Sequence, residues 1–332
     1  MSAIFPASYS TLSPLALAPM ISERYGIPDL RCELLLRGVG DTYLLESASD
    51  RYVLRAYRSS HRSLPQIKAE IELLLALKKA DISVAYPIAD LTGKHIQALE
   101  AAEGIRHVVL FTYAPGQPVS RLNEAQLRNL GLQMARFHEV SSTITLSNKR
   151  WNFDLETTLF GPIEMLRHAF REDPEGYAWV QQAARKAEKA LNELGASGFA
   201  TGYCHFDFLP KNFHFEGDLI TFFDFDFLGY GWLVNDIMTF WQHLCLDVHF
   251  GRMKQHEADE AYAIFLEAYR EVRPLSAAEL KAVPFLGLGW WLFYMGFHTT
   301  HDQFYPFVQP AHLKLRANLM RQLMERYWDK EI

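Results

Sequence analysis

The carboxylate and amide side chains between residues 203 and 226 are the first indication of chemistry in this chain. Asn212 follows Asp207 by five residues, and Asp224 comes twelve residues later. An amide oxygen together with a carboxylate suits Mg²⁺, which dehydrates reluctantly and leaves room for water and phosphate oxygens. Asp207 lies in the loop just upstream of Asn212. The segment is therefore a candidate magnesium site.

The residues between Asn212 and Asp224 predict a β-hairpin. Two aromatic stretches, 213–215 and 219–223, flank a turn at 216–218. In an antiparallel hairpin with this turn, residues whose numbers add up to about 435 face each other. We therefore expect Asn212 to lie beside Asp224, with α-carbons roughly 5 Å apart, so that the hairpin brings two oxygen ligands together.

The first third of the chain has the pattern of a small antiparallel sheet. Strand-like stretches separated by turn residues fill 32–57, and a further strand is expected at 107–113. Between them, a serine cap and an apolar stripe predict a helix over 63–79. Another helix is predicted over 14–25, and we expect Pro19 to interrupt it.

Helical periodicity dominates beyond a break at residues 114–118. The helices predicted there span 124–140, 175–194, 234–248, 257–272 and 313–327. The fold class is therefore α+β and bilobal, with a small antiparallel-sheet lobe at 1–114 and a larger, mainly helical lobe at 115–332. A short hinge joins the two lobes, and clefts between lobes are common ligand sites.

One charged residue stands on an apolar helix face of the first lobe. Glu70 comes three residues after Ile67 and four before Leu74, so the three side chains share a face. A carboxylate that points into a core needs a cationic partner. Arg55, on the preceding strand, is the candidate, and the pair could equally be a plain structural salt bridge.

Composition excludes several classes of protein. The 332 residues are 49% hydrophobic and 22% charged, which is ordinary for a globular chain and too apolar for a disordered one. The formal net charge of −6 offers no basic field for a nucleic acid, so we expect no nucleic-acid partner. The sequence does not predict an oligomeric state.

Cysteine usage and hydropathy indicate a cytoplasmic protein without a membrane partner. Three cysteines, Cys32, Cys204 and Cys245, form no CxxC motif and predict neither a disulfide framework nor a thiolate zinc site. The N-terminus lacks the pattern of a signal peptide. The longest apolar run, Val283 to Phe297, is shorter than a membrane span and contains glycines, so we interpret it as buried core.

The segment from Tyr203 to Asp236 resembles a known family. Its pattern, HxDxxxxN followed by FFDFDxxGYGxxxxDI, is similar to that of the aminoglycoside phosphotransferase and choline kinase superfamily, and within it to homoserine-kinase-like and stress-response-kinase-like members. The resemblance extends from about residue 20 onward, but only this segment is specific. It implies a protein-kinase-like fold and an ATP- and Mg²⁺-dependent phosphotransferase.

The resemblance also implies roles for individual residues. Asp207 would be the catalytic base, and Asn212 and Asp224 would hold Mg²⁺. The residues implied in nucleotide binding are Gly38 and Gly40 in a short glycine turn, Arg55 in the place of the usual Lys, Glu70 as the partner of Arg55, and Tyr113 at the start of the hinge. His205 and Asp236 would brace the catalytic loop, and Lys211 is as well explained by a solvated loop lysine as by a phosphate contact.

Three positions depart from the family pattern. Phe206 stands between His205 and Asp207, where Gly is common, and Arg55 replaces a frequent Lys. Arg keeps the charge but changes its reach and geometry. Asp226 stands where protein kinases carry Gly, and it could reach the metal.

The predicted function is phosphoryl transfer from ATP to a hydroxyl of a small-molecule metabolite. The stretch Gly287 to Phe307, which would line the acceptor site, is aromatic and weakly charged, which disfavours a polycationic antibiotic. Three alternatives stay open: a kinase-like nucleotide-binding module without turnover, a protein Ser/Thr kinase of the stress-response-kinase type, and a metal-dependent hydrolase that uses the same carboxylates.

Overall fold

A computed structural model describes residues 5–328 of the chain and divides into two compact units. Unit 1 extends to Val119 and also includes residues 145–150 and 213–226. Unit 2 consists of 120–144, 151–212 and the chain from Phe227 on.

The lobe limits predicted from the sequence, 1–114 and 115–332, stay predictions. Residues 1–4 and 329–332 of those ranges lie outside the described residues.

The helices and strands of the described residues follow the predicted order closely. The strands are β1 (Arg31–Arg37), β2 (Asp41–Glu46), β3 (Arg51–Tyr57), β4 (Ile96–Ala101), β5 (Gly104–Thr112), β6 (Trp151–Phe153), β7 (Thr201–Cys204), β8 (Phe213–Glu216), β9 (Leu219–Phe222) and β10 (Gly229–Trp232). The α-helices are α1 (Pro14–Tyr25), α2 (Leu64–Lys79), α3 (Glu124–Ser141), α4 (Gly161–Leu166), α5 (Pro174–Glu193), α6 (Val234–His249), α7 (Gln255–Arg270), α8 (Ala277–Phe297) and α9 (Pro310–Tyr327).

Unit 1 contains a five-stranded antiparallel sheet in the order β1-β2-β3-β5-β4. Alternate residues of β2, among them Tyr43 and Leu45, are buried, as expected for a strand with one face in the core. Leu17 and Ile21 of α1 pack into the same apolar cluster. The sheet thus has a continuous core on one side.

Helix α1 runs through Pro19, so the predicted interruption is wrong. A proline in a helix removes one backbone N–H donor and costs stability. Burial of Leu17, Ile21 and Tyr25, spaced four residues apart on one face, keeps the helix intact at that position.

The predicted hairpin is present as β8 and β9 and belongs to unit 1. Phe213 pairs with Phe222 and Phe215 with Ile220, which is the predicted register. The hairpin also pairs with the segment after β5, because the backbone of Gln117 donates to and accepts from Phe215, at 3.1 and 2.9 Å. This brings a late stretch of sequence into the early unit.

Gly116 is required where that segment meets the hairpin. Its φ of +81° lies in the left-handed region, and an added Cβ would come within 2.1 Å of the Phe215 carbonyl oxygen. A side chain would therefore disrupt the pairing of Gln117 with Phe215.

Unit 2 is mainly helical and holds a small three-stranded sheet in the order β6-β10-β7. The sequence pattern did not predict β6 and β10, because each is three or four residues long and their partners are far away in the sequence. β7 leads into residue 205, and α6 begins two residues after β10. The sheet therefore fixes both ends of the segment that the sequence singled out.

Helix α8 forms the core of unit 2. It is the one helix of residues 5–328 that is long and apolar enough to cross a membrane, and 78% of its most apolar window is buried inside the protein. Leu288, Leu292 and Met295 pack there with residues of α4, α5 and α9. The interpretation of its apolar run as core agrees with this packing.

Candidate active site

The loop after β7 holds Asp207 in a buried and fully oriented position. Asn212 Nδ2 donates hydrogen bonds to the Asp207 backbone oxygen and to its carboxylate Oδ2, both at 2.8 Å. Lys211 Nζ forms an ion pair with the same Oδ2 at 2.8 Å. The Asp207 side chain is 3% exposed, whereas that of Lys211 is 60% exposed. The structure thus brings the predicted Asp207 and Asn212 together in one turn, with a lysine beside them.

Asp236, at the start of α6, holds the backbone of this loop. Its two carboxylate oxygens accept hydrogen bonds from the backbone N–H groups of His205 at 2.9 Å and Phe206 at 2.6 Å. His138 of α3 lies 3.1 Å from Asp236 Oδ2, and its other ring nitrogen lies 2.8 Å from the Tyr269 hydroxyl. The bracing role implied for Asp236 therefore agrees with the contacts.

Phe206 adopts a left-handed backbone conformation, which glycine adopts without steric cost. Its φ is +63°, in the left-handed region that costs a side-chain-bearing residue roughly 1–2 kcal/mol. The ring stacks on Phe153 with centroids 3.8 Å apart, and Trp290 Nε1 donates to its carbonyl oxygen at 3.2 Å. These contacts hold a strained residue directly before Asp207.

Arg55 of unit 1 is the centre of a buried ion-pair cluster. It lies 2.9 Å from Asp224, 3.5 Å from Glu70 and 3.6 Å from Asp226. The pair of Arg55 and Glu70, expected from the helix pattern, is present, and Glu70 is 1% exposed. Burial raises the pKa of the Glu70 carboxyl, against the opposing effect of the Arg55 and Arg150 charges.

Two further arginines hold Asp226, and the sequence reasoning missed both. Arg62 Nε donates to Asp226 Oδ1 at 2.9 Å, and Arg62 and Arg150 both donate to its backbone oxygen. Burial raises the pKa of Asp226, but the charges of Arg62, Arg55 and Arg150 outweigh it and bring this pKa to about 2. The acidic residues Glu70, Asp224 and Asp226 are thereby balanced by three arginines.

The other predicted nucleotide residues of unit 1 lie outside this ion-pair cluster. Gly38 and Gly40 form the turn between β1 and β2, where the Val39 carbonyl oxygen is 2.8 Å from His61 Nδ1. Gly40 approaches β3 closely, because an added Cβ would lie 3.1 Å from the Ala56 carbonyl oxygen. Tyr113 follows β5 and carries the Arg51 guanidinium 4.0 Å above its ring.

Asn212 in unit 2 and Asp224 in unit 1 each carry an oxygen of the kind that suits a hard divalent cation. In the described part of the chain, Asn212 Oδ1 and Asp224 Oδ2 accept no hydrogen bond, although the other polar atoms of both side chains are engaged. The Asp224 side chain is 44% exposed, and its φ of +61° is strained. No group of three or more His, Cys, Asp or Glu in residues 5–328 could hold a metal alone. A cation bound to either oxygen would keep water and substrate oxygens as its other ligands, as Mg²⁺ does.

Comparison with known proteins assigns the chain to a family. A family model described as "Phosphotransferase enzyme family" matches residues 32–275. Amicoumacin kinase of Bacillus subtilis is 30% identical over 289 residues, which cover 85% of this chain and 84% of that protein.

Two solved structures share the fold. The structure titled "Amicoumacin kinase hAmiN in complex with AMP-PNP, Ca2+ and Ami" has a TM-score of 0.72 and 20% identity, and the match covers 95% of this chain and 94% of the other. A microcompartment-associated aminopropanol kinase has a TM-score of 0.75 and 22% identity, covering 96% of this chain and all of the other. The predicted protein-kinase-like α+β fold is confirmed.

These matches define a kinase of the phosphotransferase class that uses an alcohol group as acceptor. The chain belongs to the phosphotransferase enzyme family, because the family model covers most of its length. The resemblance stated from the segment between Tyr203 and Asp236 is therefore confirmed.

Proposed function

We propose that this protein transfers the γ-phosphoryl group of ATP, with Mg²⁺, to a hydroxyl group of a small-molecule metabolite. The observation that carries the proposal is the buried Asp207 carboxylate, held in one orientation by Asn212 and Lys211. AMP-PNP and Ca²⁺ in the hAmiN structure support the use of a nucleotide and a divalent cation in this family. We propose a cytoplasmic location, which three free cysteines support.

Asp207 accepts the proton of the acceptor hydroxyl in this proposal. Asn212 Nδ2 donates one hydrogen bond to the carboxylate Oδ2 and another to the Asp207 backbone oxygen, which together hold the carboxylate in one orientation. The Lys211 ammonium neutralises negative charge beside Asp207, where the phosphoryl group and the carboxylate would otherwise repel each other. Asp236 maintains the loop, because it binds two backbone N–H groups directly before Asp207.

The nucleotide and metal are assigned to the remaining predicted residues. Asn212 and Asp224 would hold the metal, and a bound divalent cation would neutralise charge on the phosphate oxygens. Arg55 binds nucleotide phosphate, and its ion pair with Glu70 limits the movement of the Arg55 side chain. The glycine turn with Gly38 and Gly40 would allow close approach of the nucleotide phosphates, and Tyr113 would contact the base of the nucleotide.

The experiment is an ADP-release screen with ATP and Mg²⁺ across amino alcohols, hydroxy acids, sugars, aminoglycosides and a generic protein substrate. We expect turnover with a small hydroxylated compound. Turnover confined to the protein substrate would favour the Ser/Thr kinase alternative instead. Nucleotide binding without turnover on any acceptor would contradict the proposal.

Two variants then test the assigned residues on the acceptor that the screen identifies. Asp207→Asn should lower kcat by about 10²- to 10⁴-fold, the usual contribution of a general base, while nucleotide binding persists. Asp224→Ala should abolish the Mg²⁺-dependent part of nucleotide binding, measured by calorimetry. Asp218→Ala, in the exposed turn of the same hairpin, is the matched control. Wild-type turnover in Asp207→Asn would show that the role of this residue is wrong.

A further inference from the structure

Arg316 of α9 is a half-buried cation that the proposed mechanism does not use. Its guanidinium donates one hydrogen bond, from Nη1 to His298 Nδ1 at 2.9 Å, and lies 5.3 Å from the centre of the Phe307 ring. It forms no ion pair with any carboxylate in residues 5–328. Four of the five N–H donors of a guanidinium are therefore left for another partner.

The neighbours of Arg316 are aromatic or basic. His298 stacks on Phe307 with ring centroids 4.8 Å apart, and His312 meets the edge of the same ring at 5.7 Å. Burial lowers the pKa of His298 to about 4, helped by the charges of Arg316 and His312, so the imidazole is neutral and accepts the hydrogen bond. Burial also lowers the pKa of Arg316. We call His298, Phe307, His312 and Arg316 the Arg316 cluster.

A cluster of this composition is unusual as a purely structural feature. Partly buried arginines are normally paired with a carboxylate, because removing the charge from water is costly. Here the surroundings repel further positive charge and offer apolar ring faces. The chemistry that would complete the cluster is a single anion attached to an apolar group.

A row of side chains on α8 connects this cluster with the catalytic loop inside unit 2. Trp290, whose Nε1 donates to the Phe206 carbonyl oxygen, has its ring 4.7 Å from that of Tyr294. Tyr294 is in turn 6.5 Å from His298. The three residues are spaced four apart and share one helix face. Eight residues of helix correspond to a rise of about 12 Å.

We propose that the Arg316 cluster binds the carboxylate of the phosphoryl acceptor. The acceptor is then an elongated hydroxy acid, with its hydroxyl at Asp207 and its carboxylate on the Arg316 guanidinium. A carboxylate matches the planar fork of arginine with two parallel hydrogen bonds, and the rings of Tyr294 and Phe307 cover the apolar part of the molecule. This inference rests on the proposed function for the identity of the acceptor site.

The test compares hydroxy acids with neutral diols of the same length. Binding of 4-hydroxybutyrate, 6-hydroxyhexanoate and 8-hydroxyoctanoate to the full chain is measured by calorimetry, with the corresponding diols as references. We expect the hydroxy acids to bind more tightly than the diols, and the longest one to bind best. Equal affinity for acid and diol, or no binding of any hydroxy acid, would overturn the proposal.

Variants of Arg316 separate charge from packing. Arg316→Gln should reduce the preference for acid over diol by about 10- to 100-fold, because it removes a charge-assisted pair of hydrogen bonds. Arg316→Lys should retain part of the preference, since it keeps the charge without the fork. Arg321→Gln is the matched control, because Arg321 lies on the same helix, 5.0 Å from the ring of Trp179.

Kinetics distinguish failure of this inference from failure of the proposed function. The ratio of kcat/KM for 8-hydroxyoctanoate to that for 1,8-octanediol should fall in Arg316→Gln and persist in Arg321→Gln. An unchanged ratio in Arg316→Gln, or an equal fall in both variants, would overturn the carboxylate assignment even if both compounds are phosphorylated. Binding that depends on Arg316 without phosphorylation would support the carboxylate site and contradict the proposed function.

Discussion

Phe206 combines an unfavourable backbone conformation with a favourable side-chain position. Its left-handed φ would suit glycine, but glycine would lose the ring contacts with Phe153 and Phe293. A buried phenylalanine contributes about 3–5 kcal/mol relative to alanine, which exceeds the roughly 1–2 kcal/mol cost of the backbone. Packing therefore decides the residue at this position, and the loop that carries Asp207 can depart from the family pattern without losing its shape.

Two variants at Phe206 separate these effects. We expect Phe206→Ala to lower the free energy of unfolding by about 3 kcal/mol or more. Phe206→Gly should be about 1 kcal/mol more stable than Phe206→Ala, because only glycine relieves the backbone. Urea unfolding of the two variants and the wild type measures the order. If Phe206→Ala were at least as stable as Phe206→Gly, the backbone of residue 206 would not be strained.

Sequence reasoning predicted the residues of the site better than their contacts. It identified Glu70 and its partner Arg55, because helix periodicity shows that an acidic residue lies on an apolar face. It did not predict that Arg55 also contacts Asp224 and Asp226, since these residues are about 170 positions away and only tertiary structure brings them together. The sequence did not indicate that Arg62 and Arg150 belong to this cluster, because neither stands in a periodic or motif position.

At the scale of elements, the hairpin formed by β8 and β9 was predictable and the sheet formed by β6, β10 and β7 was not. Hairpin pairing is local, so aromatic strands around a Gly turn determine both existence and register. The three-stranded sheet joins segments up to about 80 residues apart, and its strands are too short to show alternation. In helix α1 the local signal was misleading, because burial of the apolar helix face outweighs the tendency of Pro19 to interrupt a helix.

The contact between Gly116 and the hairpin gives an element-scale prediction. Gly116→Ala should lower the free energy of unfolding by several kcal/mol, since its Cβ collides with the Phe215 backbone at a positive φ. Gly217→Ala is the matched control, because that glycine also has a positive φ of 60° but no atom within 4 Å of the added Cβ. We expect about 1 kcal/mol there. Thermal unfolding of both variants provides the comparison, and equal losses would contradict the collision.

Burial of His298, which directly follows α8 and belongs to the Arg316 cluster, makes the free energy of unfolding depend on pH. The pKa of His298 is lowered to about 4 in the folded chain and is near 6.5 when unfolded, so between about pH 4 and pH 6.5 the unfolded chain binds the proton and the folded chain mostly does not. Stability should therefore fall as the pH decreases from 7 to 5. Arg316 and His312 are the charged groups that act on His298.

Replacing His298 isolates this contribution. His298→Phe keeps a ring on Phe307 but cannot titrate, so we expect the variant to lose about 2 kcal/mol less than the wild type between pH 7 and pH 5. Urea unfolding at the two pH values measures the difference, with the exposed His256→Gln as the control. Parallel pH profiles of wild type and His298→Phe would contradict the burial of a neutral imidazole.

At the scale of the whole molecule, unit 1 is assembled from three separate stretches of sequence. A fragment that ends at Val119 retains Arg55 and Glu70 but lacks Asp224 and Asp226, and Arg62 loses its carboxylate partner. Two buried arginines would then be without sufficient compensation, which is strongly destabilising.

We therefore expect the fragment of residues 1–119 not to unfold cooperatively on its own. Circular dichroism during urea titration would show a broad, non-sigmoidal change, whereas the full chain should show a defined transition. A fragment in which Arg62 is replaced by Met should recover part of the cooperativity, because it removes the arginine that has lost its carboxylate partner and leaves the pair of Arg55 and Glu70 intact. A sharp transition in the unaltered fragment would contradict this dependence.

The late position of the hairpin also has a consequence for synthesis on the ribosome. At about 5–20 residues per second, the roughly one hundred residues between Val119 and Asp226 take on the order of 5–20 s to translate. During that interval Arg55 has Glu70 but lacks Asp224 and Asp226, Arg62 lacks its carboxylate partner, and the nascent sheet is exposed to chaperones and proteases. Codon usage between residues 120 and 226 is therefore a place where translation speed can influence the yield of folded protein.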